Sequence, residues 1–286
     1  MSLISGKAVY EALKERGFSV ILLDPVGDFV KTLKSENISL VFNALHGTFG
    51  EDGTVQKILE EAGISYTGSG PEVSEIAFDK ARAQAIFKKE GILVPEFQVI
   101  RSPEEVSRLT LGRFPVVVKP SKAGSSVGVS IVEKKEDVME ACREAFCYSD
   151  AVLVEEYIKG RELTVGILGD EALPIVEVIP GEAFYDYKAK YKSSDTRYEF
   201  PARLTAAEAK RVSDAALRAY RALECRVMGR VDVILSGSEP YVLEVNTIPG
   251  LTGKSLLPKA AKARGIEFGD LCVKIMLLSQ ERVEAR

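Results

Sequence analysis

The composition describes a mildly acidic globular chain with room for about two domains. At 286 residues and 46% hydrophobic content, it can bury sizeable cores, which excludes disordered and fibrous proteins. The 38 Lys and Arg residues against 42 Asp and Glu residues give a net charge of -4, which excludes a basic footprint for nucleic acid. No apolar stretch reaches the length of a membrane span, and the four cysteines form no CxxC pair. We therefore expect a reduced, cytoplasmic protein without nucleic-acid or membrane partners.

The beginning of the chain predicts an α/β unit that lacks its first strand. A helix is expected over 5–16, where Gly17 can end it, and apolar runs predict strands over 18–24 and 38–45. A helical pattern follows at 56–63. Because a right-handed crossover helix needs a parallel strand before it, an opening helix indicates that one strand is missing at the front.

The rest of the chain alternates short strands with helices. Helices are predicted over 79–90, 135–146, 206–223 and 270–283. The third of them opens with Thr205 and Glu208, a capping-box spacing. Strands are predicted over 94–100, 114–120, 127–133, 151–158, 162–169 and 173–180, the last three close enough for antiparallel pairing. A hairpin is predicted from 230–235 and 241–246.

A loop of glycine and serine residues, AGSSVGVS at 123–130, follows the strand that carries Lys119. Small residues let backbone N–H groups approach an anion, and hydroxyls and a lysine add donors. The loop is not a Walker A motif, because no GK[ST] follows it. Alone the loop is more typical of a flexible surface hairpin, but the strand-flanking lysine favours phosphate binding.

The predicted hairpin carries a second group of polar residues. Glu244 and Asn246 share one face of a strand, and Asp232 can face them from the partner strand. Two carboxylates and an amide are hard oxygen ligands that suit Mg²⁺ shared with nucleotide phosphates. The alternative is a solvated sheet face with a salt bridge to Arg230, although polar groups within apolar strands argue against it.

Two further segments leave both a structural and a functional interpretation open. His46 opens HGTFGEDG directly after a predicted strand, where α/β sheets bind ligands, but a lone histidine is more often structural. The segment 185–200 concentrates tyrosines and lysines and is too polar for a core strand. It predicts either a lid or an exposed loop within 181–203.

Six strings occur in a distinctive order along the chain: HGTFGEDGTVQ, YTGSG, DK, KPSKAGSSVGVS, YDYKAKY and GRVDVIL…YVLEVNTIPGLTGKSLLP. Together they resemble the D-alanine–D-alanine ligase family of the ATP-grasp superfamily over nearly the whole chain. The resemblance implies an ATP-grasp fold preceded by an amino-terminal α/β doubly wound domain, with domains at 1–73, 74–159 and 160–286. It also implies ATP-dependent ligation of two D-alanine molecules through an acylphosphate, for peptidoglycan precursor synthesis, by a protein that in this family is commonly a homodimer.

The resemblance also implies residue roles. ATP would be bound by Lys80, Lys119, Gly124, Ser126, Glu155, Glu156, Tyr157, Ile158 and Glu162. Two Mg²⁺ ions, replaceable by Mn²⁺, would be held by Asp232, Glu244 and Asn246. The catalytic set would comprise Arg230 and the Gly250 N–H at the oxyanion, with Tyr191 on the lid bonded to Ser125. The two D-alanine molecules would meet His46, Lys190, Ser255 and Leu256.

The chain also departs from the family pattern. The family begins with a strand, a glycine-rich turn and a glutamate that contacts the first D-alanine, whereas this chain begins at MSLISG. We therefore expect that strand and glutamate to be absent, and a native protein that is longer. Lys57 stands where a small residue is usual. Tyr191 favours dipeptide formation, and the alternatives are a D-alanine–D-lactate or related ligase, or an ATP-binding chain with impaired turnover.

Overall fold

The fold consists of three sheets with helices packed around them. The structure is a computed structural model that describes residues 2–179 and 196–284, with side chains to residue 280. The first sheet is a parallel pair, the second has four strands and the third has six. Among the helices described, none combines the length and the apolar character that a membrane crossing requires.

The amino-terminal part contains the parallel pair. Its elements are α1 (Ser2–Glu15), α2 (Phe29–Ser35), β1 (Leu40–Val41), α3 (Thr54–Glu61) and β2 (Ser65–Tyr66). The predicted opening helix is confirmed, and Gly17 follows it with a φ of +84°. The predicted helix over 56–63 corresponds to α3. The apolar run 38–45 forms a strand only at β1, which pairs with β2.

The prediction of a strand over 18–24 is wrong. This segment has no strand assignment, and Phe18, Ile21 and Leu22 are all exposed. A strand needs a neighbour that accepts and donates its backbone hydrogen bonds. Within the described residues, β1 pairs only with β2, so the segment has no such neighbour. Its apolar pattern alone therefore does not make it a strand.

The central part is a four-stranded antiparallel sheet with helices on it. Its strands run in the order β3-β6-β4-β5. The elements are α4 (Pro71–Phe78), α5 (Lys80–Lys89), β3 (Phe97–Ile100), β4 (Val116–Pro120), β5 (Ser130–Val132), α6 (Val138–Phe146) and β6 (Val152–Glu156). Helix α4 was not predicted, although Pro71 at its first turn is a helix-start signal.

The carboxyl-terminal part is built on the six-stranded sheet, in the order β10-β9-β7-β11-β12 with β8 on β7. Its strands are β7 (Arg161–Leu168), β8 (Glu171–Ala172), β9 (Val176–Ile179), β10 (Arg197–Glu199), β11 (Met228–Ser236) and β12 (Glu239–Asn246). Its helices are α7 (Ala206–Ala222), α8 (Leu256–Ala263) and α9 (Phe268–Glu284). Thr205 and Glu208 form the predicted capping box of α7.

Two sequence expectations about this part need correction, and one of its helices was not predicted. The pairing of β7 with β9 is antiparallel as predicted, but β6 lies in the central sheet and does not pair with β7. The expected loop over 181–203 contains strand β10, whose residues pair with β9. Helix α8 was not predicted, because Pro258 near its start obscures the helical pattern.

Candidate active site

The hairpin of β11 and β12 places four polar side chains side by side. Arg230 lies opposite Asn246, and Asp232 lies opposite Glu244. The register shifts directly after Asp232, so Leu243 has no cross-strand partner. Such a β-bulge twists the strand and re-aims the neighbouring side chains, and bulges are common beside active sites. The predicted clustering of these four residues is confirmed.

Ion pairs balance the charges of this cluster. Arg230 donates to both oxygens of Asp232 at 2.9 and 2.8 Å, and Thr164 Oγ1 donates to Asp232 Oδ1 at 2.8 Å. The salt bridge that the sequence left as an alternative is therefore present. Burial alone would lower the pKa of Arg230, but Asp232, Glu244 and Glu51 together raise that pKa above its usual value. The guanidinium is thus surrounded by carboxylates from two parts of the chain.

Lys80 reaches the same cluster from the first turn of α5. Its Nζ lies 3.1 Å from Glu244 Oε2 and donates to the Ala123 carbonyl at 2.6 Å. The start of α5 is fixed to the end of β4, because Lys80 N donates to the Ser121 carbonyl at 3.0 Å. The Ser121 hydroxyl in turn donates to Asp79, which caps α5. Lys80 is therefore held by two elements at once.

Lys119 and Glu155 form a second, more deeply buried ion pair. They come from the adjacent strands β4 and β6, and Lys119 Nζ lies 2.7 Å from Glu155 Oε1. Their side chains are 9% and 3% exposed. Gln84 on α5 also donates to Glu155 Oε1, at 2.7 Å. Sequence reasoning missed Gln84, because it lies 71 residues from its partner and belongs to no recognisable string.

The glycine-serine loop adopts a tight conformation beside this cluster. Ser125 and Ser126 both have a φ of +58°, which is costly for residues with a side chain and persists mainly at functional sites. A Cβ at Gly124 would lie 3.7 Å from Glu51 Oε2, so the loop meets the HGTFGEDG segment. One cavity is lined by Glu51, Lys80, Gly124, Glu244 and Asn246.

His46 is held by a network that links α1 to the HGTFGEDG segment. Its Nε2 is 2.9 Å from Ser5 Oγ, and its Nδ1 is 3.5 Å from Glu51 Oε1. Glu51 Oε2 also accepts from Gly47 N at 2.8 Å. Glu51 therefore connects the histidine to the cavity that it helps to line. Sequence reasoning missed Ser5, because it lies in α1, 41 residues before His46.

Gly250, Ser255 and Leu256 follow β12 and form a separate small group. Ser255 is the N-cap residue of α8, and Leu256 is its first residue. The Ser255 hydroxyl accepts from Thr252 N at 3.1 Å. A Cβ at Gly250 would lie 2.8 Å from Ser255 Oγ, so only glycine fits there without displacement. Gly250 and Ser255, both predicted site residues, are therefore in contact.

The remaining predicted residues fall into two sets. Glu162 lies in β7 opposite Ile234 and Val178. Glu156 is the last residue of β6, Tyr157 and Ile158 follow it, and all three are half-buried. Glu156 N donates to the Glu96 carbonyl at 2.8 Å, which fixes the end of that strand. Lys190 and Tyr191, together with most of the segment 185–200, lie outside the described residues.

The donor set on the hairpin fits a hard cation shared with a ligand. Within residues 2–179 and 196–284, no group of three or more His, Cys, Asp or Glu side chains is arranged to hold a metal ion. Asp232 and Glu244 supply two carboxylates and Asn246 an amide, whose Nδ2 lies 3.4 Å from Glu244 Oε1. Mg²⁺ commonly takes one or two protein carboxylates and completes its shell with water and phosphates. These three ligands are thus sufficient for a Mg²⁺ site that water and phosphate complete, and too few for a site formed by protein ligands alone.

Comparison with known families decides the assignment. Residues 24–69 match the family model described as D-ala D-ala ligase N-terminus, and residues 86–277 match D-ala D-ala ligase C-terminus. The chain belongs to the D-alanine–D-alanine ligase family. The family resemblance in the sequence is thereby confirmed, as is the mixed α/β fold of ATP-grasp type.

Individual relatives match over almost their full length. The D-alanine–D-alanine ligase of Desulforudis audaxviator is 44% identical over 289 residues, which cover 99% of this chain and 94% of that protein. The Geobacter sulfurreducens ligase is 43% identical, covering 99% of this chain and 91% of the relative. A crystal structure of the Bacillus anthracis ligase complexed with ATP has a TM-score of 0.86 at 34% identity, covering 99% of this chain and 94% of that one.

Proposed function

We propose that this chain joins two D-alanine molecules to D-alanyl-D-alanine with ATP, the activity after which its family is named. The observation that carries the proposal is the common cavity in which Lys80, Gly124, Glu244 and Asn246 meet Glu51. A cation, a glycine loop and oxygen ligands are what phosphoryl transfer needs, because this chemistry depends mainly on positioning and charge neutralisation.

At the nucleotide end, Lys80 and Lys119 contact the ATP phosphates beneath the 123–128 loop. Both side chains already point to carboxylates, so they can exchange those partners for phosphate oxygens. Glu155 accepts from the adenine amino group, and backbone of 156–158 lines the adenine slot. Glu162 binds the ribose hydroxyls. Gly124, Ser126, Glu156, Tyr157 and Ile158 complete this subsite.

At the metal end, Asp232, Glu244 and Asn246 would hold two Mg²⁺ ions, which Mn²⁺ could replace. A metal held there would supply charge neutralisation for the phosphate oxygens. Asn246 donates Nδ2 to Glu244 Oε1 at 3.4 Å, which keeps its amide group beside Glu244, and Thr164 keeps Asp232 oriented through its hydroxyl. The bulge at Leu243 gives Glu244 its position relative to Asp232.

At the amino-acid end, His46 lines the first D-alanine site, oriented by Ser5 and Glu51. Arg230 and the Gly250 N–H stabilise the oxyanion formed when the second amine attacks the acylphosphate. Ser255 and Leu256 bind the second D-alanine together with Lys190. Tyr191 closes the site by bonding to Ser125, which excludes water from a hydrolysable intermediate.

The same proposal extends to the organisation of the protein. We assign the three domains to 1–73, 74–159 and 160–286, and we propose a cytoplasmic homodimer that supplies peptidoglycan precursors. No nucleic acid or membrane is a partner in this proposal.

The test is the release of ADP by the chain with Mg²⁺ and ATP, measured with and without D-alanine, together with mass spectrometry of the product. We expect ADP release that depends on D-alanine and yields the dipeptide, with L-alanine as the matched control that yields none. Binding of ATP without D-alanine-dependent ADP release would refute the proposed activity. A product formed only when D-lactate is added would instead identify a depsipeptide ligase.

A further inference from the structure

Gln84 is a fully buried glutamine on α5, one turn after Lys80. Its Nε2 donates to two acceptors on different sheets. One is Glu155 Oε1 at 2.7 Å on β6, and the other is the Leu243 carbonyl at 3.1 Å on β12. A single amide thus connects the central sheet to the carboxyl-terminal sheet.

The orientation of this amide follows from the chemistry of its partners. A carboxylate and a backbone carbonyl only accept hydrogen bonds, so only the NH₂ group of Gln84 can bond to both. Leu243 is the bulge residue without a cross-strand partner, and Glu244 comes next. Gln84 therefore satisfies the carbonyl that the bulge exposes, directly before a proposed metal ligand.

Packing alone does not account for a glutamine at this position. The Oε1 atom of Gln84 is buried and makes no hydrogen bond in the described part of the chain. Burial of an unsatisfied acceptor costs free energy, which an apolar side chain of the same size would avoid. The NH₂ group is the part of Gln84 that makes hydrogen bonds, and one of its two acceptors is Glu155.

Glu155 itself has one oxygen engaged and one available. Lys119 and Gln84 both bond to Oε1, each at 2.7 Å. No hydrogen bond to Oε2 comes from the residues that the structure describes. In the proposed function Lys119 turns to the phosphates, so Gln84 is the donor that stays on Oε1 and keeps the direction of Oε2 constant.

We propose that Gln84 is a positioning residue that sets the preference for a 6-amino purine over a 6-oxo purine. It holds Glu155 so that Oε2 accepts from the exocyclic amino group of the base. A 6-oxo group would instead bring a second acceptor against that oxygen, which leaves both unpaired. The inference rests on the proposed function, in which Glu155 meets the adenine.

The experiment compares ATP with ITP, which differs at this group of the base. Isothermal titration calorimetry with Mg²⁺ gives the Kd of each nucleotide for the parent protein and for Gln84→Met. We expect the variant to bind ATP about tenfold more weakly, the effect of one lost charge-assisted hydrogen bond, while its Kd for ITP changes little. The ratio of the two Kd values therefore moves towards one.

A matched control is available on α3. Gln56 is also buried, also leaves Oε1 without a partner in the described residues, and donates Nε2 to the Gly50 carbonyl at 2.8 Å. Gln56→Met removes the same kind of amide from a residue that contacts Gly50 and not Glu155, so the ratio of the two Kd values must stay at its parent level. Gln84→Asn, which keeps the amide but is too short to reach Glu155, provides a second variant with the expectation of Gln84→Met.

Two results overturn the inference, and Glu155→Gln separates it from the proposed function. If Gln84→Met and Gln84→Asn keep the parent ratio of Kd values, or weaken ATP and ITP equally, Gln84 does not set base preference. If Glu155→Gln also keeps the parent ratio, the adenine subsite of the proposed function is itself wrong. A change with Glu155→Gln alone overturns only the role of Gln84.

Discussion

The buried pair of Lys119 and Glu155 gives the most quantitative prediction. At 2.7 Å and an effective dielectric constant of about 20, their attraction is ~6 kcal/mol. Removing two such charges from water costs several kcal/mol for each ion, so the pair contributes little net stability. Breaking it from one side is different, because the remaining charge keeps its desolvation cost without the attraction.

We expect Lys119→Met to lower the free energy of opening of the central sheet by about 3–5 kcal/mol, since Glu155 would be left with Gln84 alone. Adding Glu155→Gln should restore roughly half of that loss, because no uncompensated charge then remains. The neutral glutamine can still accept from Gln84.

Hydrogen exchange read by mass spectrometry, in the absence of nucleotide, measures this quantity on peptides that cover β4 and β6. It reports the opening of this sheet separately from the rest of the chain. Peptides from α9 serve as an internal control and should exchange as in the parent protein. The reasoning is wrong if Lys119→Met lies within about 1 kcal/mol of the parent protein, or if the double variant opens as easily as the single one.

Three further predictions concern metal binding, thiol reactivity and helix capping. Glu244→Gln should raise the Mg²⁺ concentration for half-maximal ADP release at least about tenfold. The change in melting temperature should be too small to explain that effect. Equal losses of activity and of folding would contradict the role of Glu244 as a metal ligand. In the folded protein, a thiol reagent should modify Cys147, which is exposed, and no other cysteine. Burial raises the pKa values of the other three thiols to about 11, 12 and 12, so modification before unfolding would be unexpected at Cys142, Cys225 or Cys272. Thr205→Ala should destabilise α7 by about 1 kcal/mol, measured by urea unfolding, and unchanged stability would show that the capping box is not formed.

The capping box also predicts a pH dependence. Hydrogen bonds from the Thr205 backbone and hydroxyl lower the pKa of Glu208. This stabilisation is therefore fully present above the ordinary pKa of a glutamate and is lost as the pH falls through the lowered value. Thr205→Ala should remove only the part of this acid sensitivity that comes from the hydroxyl, because the backbone N–H at position 205 still donates. Glu208→Gln should remove all of it, which urea unfolding across that pH range would detect.

The sequence was most informative where a local pattern defines a structure. The hairpin of β11 and β12 was predictable, because alternating residues place the polar side chains on one face and a short turn joins the strands. The segment 18–24 has an equally apolar pattern but no neighbouring strand, and periodicity does not report the neighbour.

The sequence predicted which residues belong to the site better than it predicted their contacts. Lys80, Glu244 and Asn246 belong to recognisable strings, and they line one cavity. The bonds of Ser5 to His46 and of Gln84 to Glu155 join residues 41 and 71 positions apart. Such contacts depend on how helices dock on sheets, which no local spacing encodes. The roles of the individual residues remain predictions.

The ion pair between Lys80 and Glu244 has a consequence for the order in which ligands bind. A phosphate that takes Lys80 removes one cation from Glu244, and a metal that takes Glu244 removes one carboxylate from Lys80. Either ligand alone therefore loses part of its binding free energy, because it breaks the ion pair. When both bind, phosphate takes the place of Glu244 at Lys80, and the metal takes the place of Lys80 at Glu244. Each should then raise the affinity for the other by the same factor, as thermodynamic linkage requires. In the free site, Lys80 and Glu244 bind each other and so compete with phosphate and metal. The ion pair therefore favours binding of the metal–nucleotide complex over binding of either component alone.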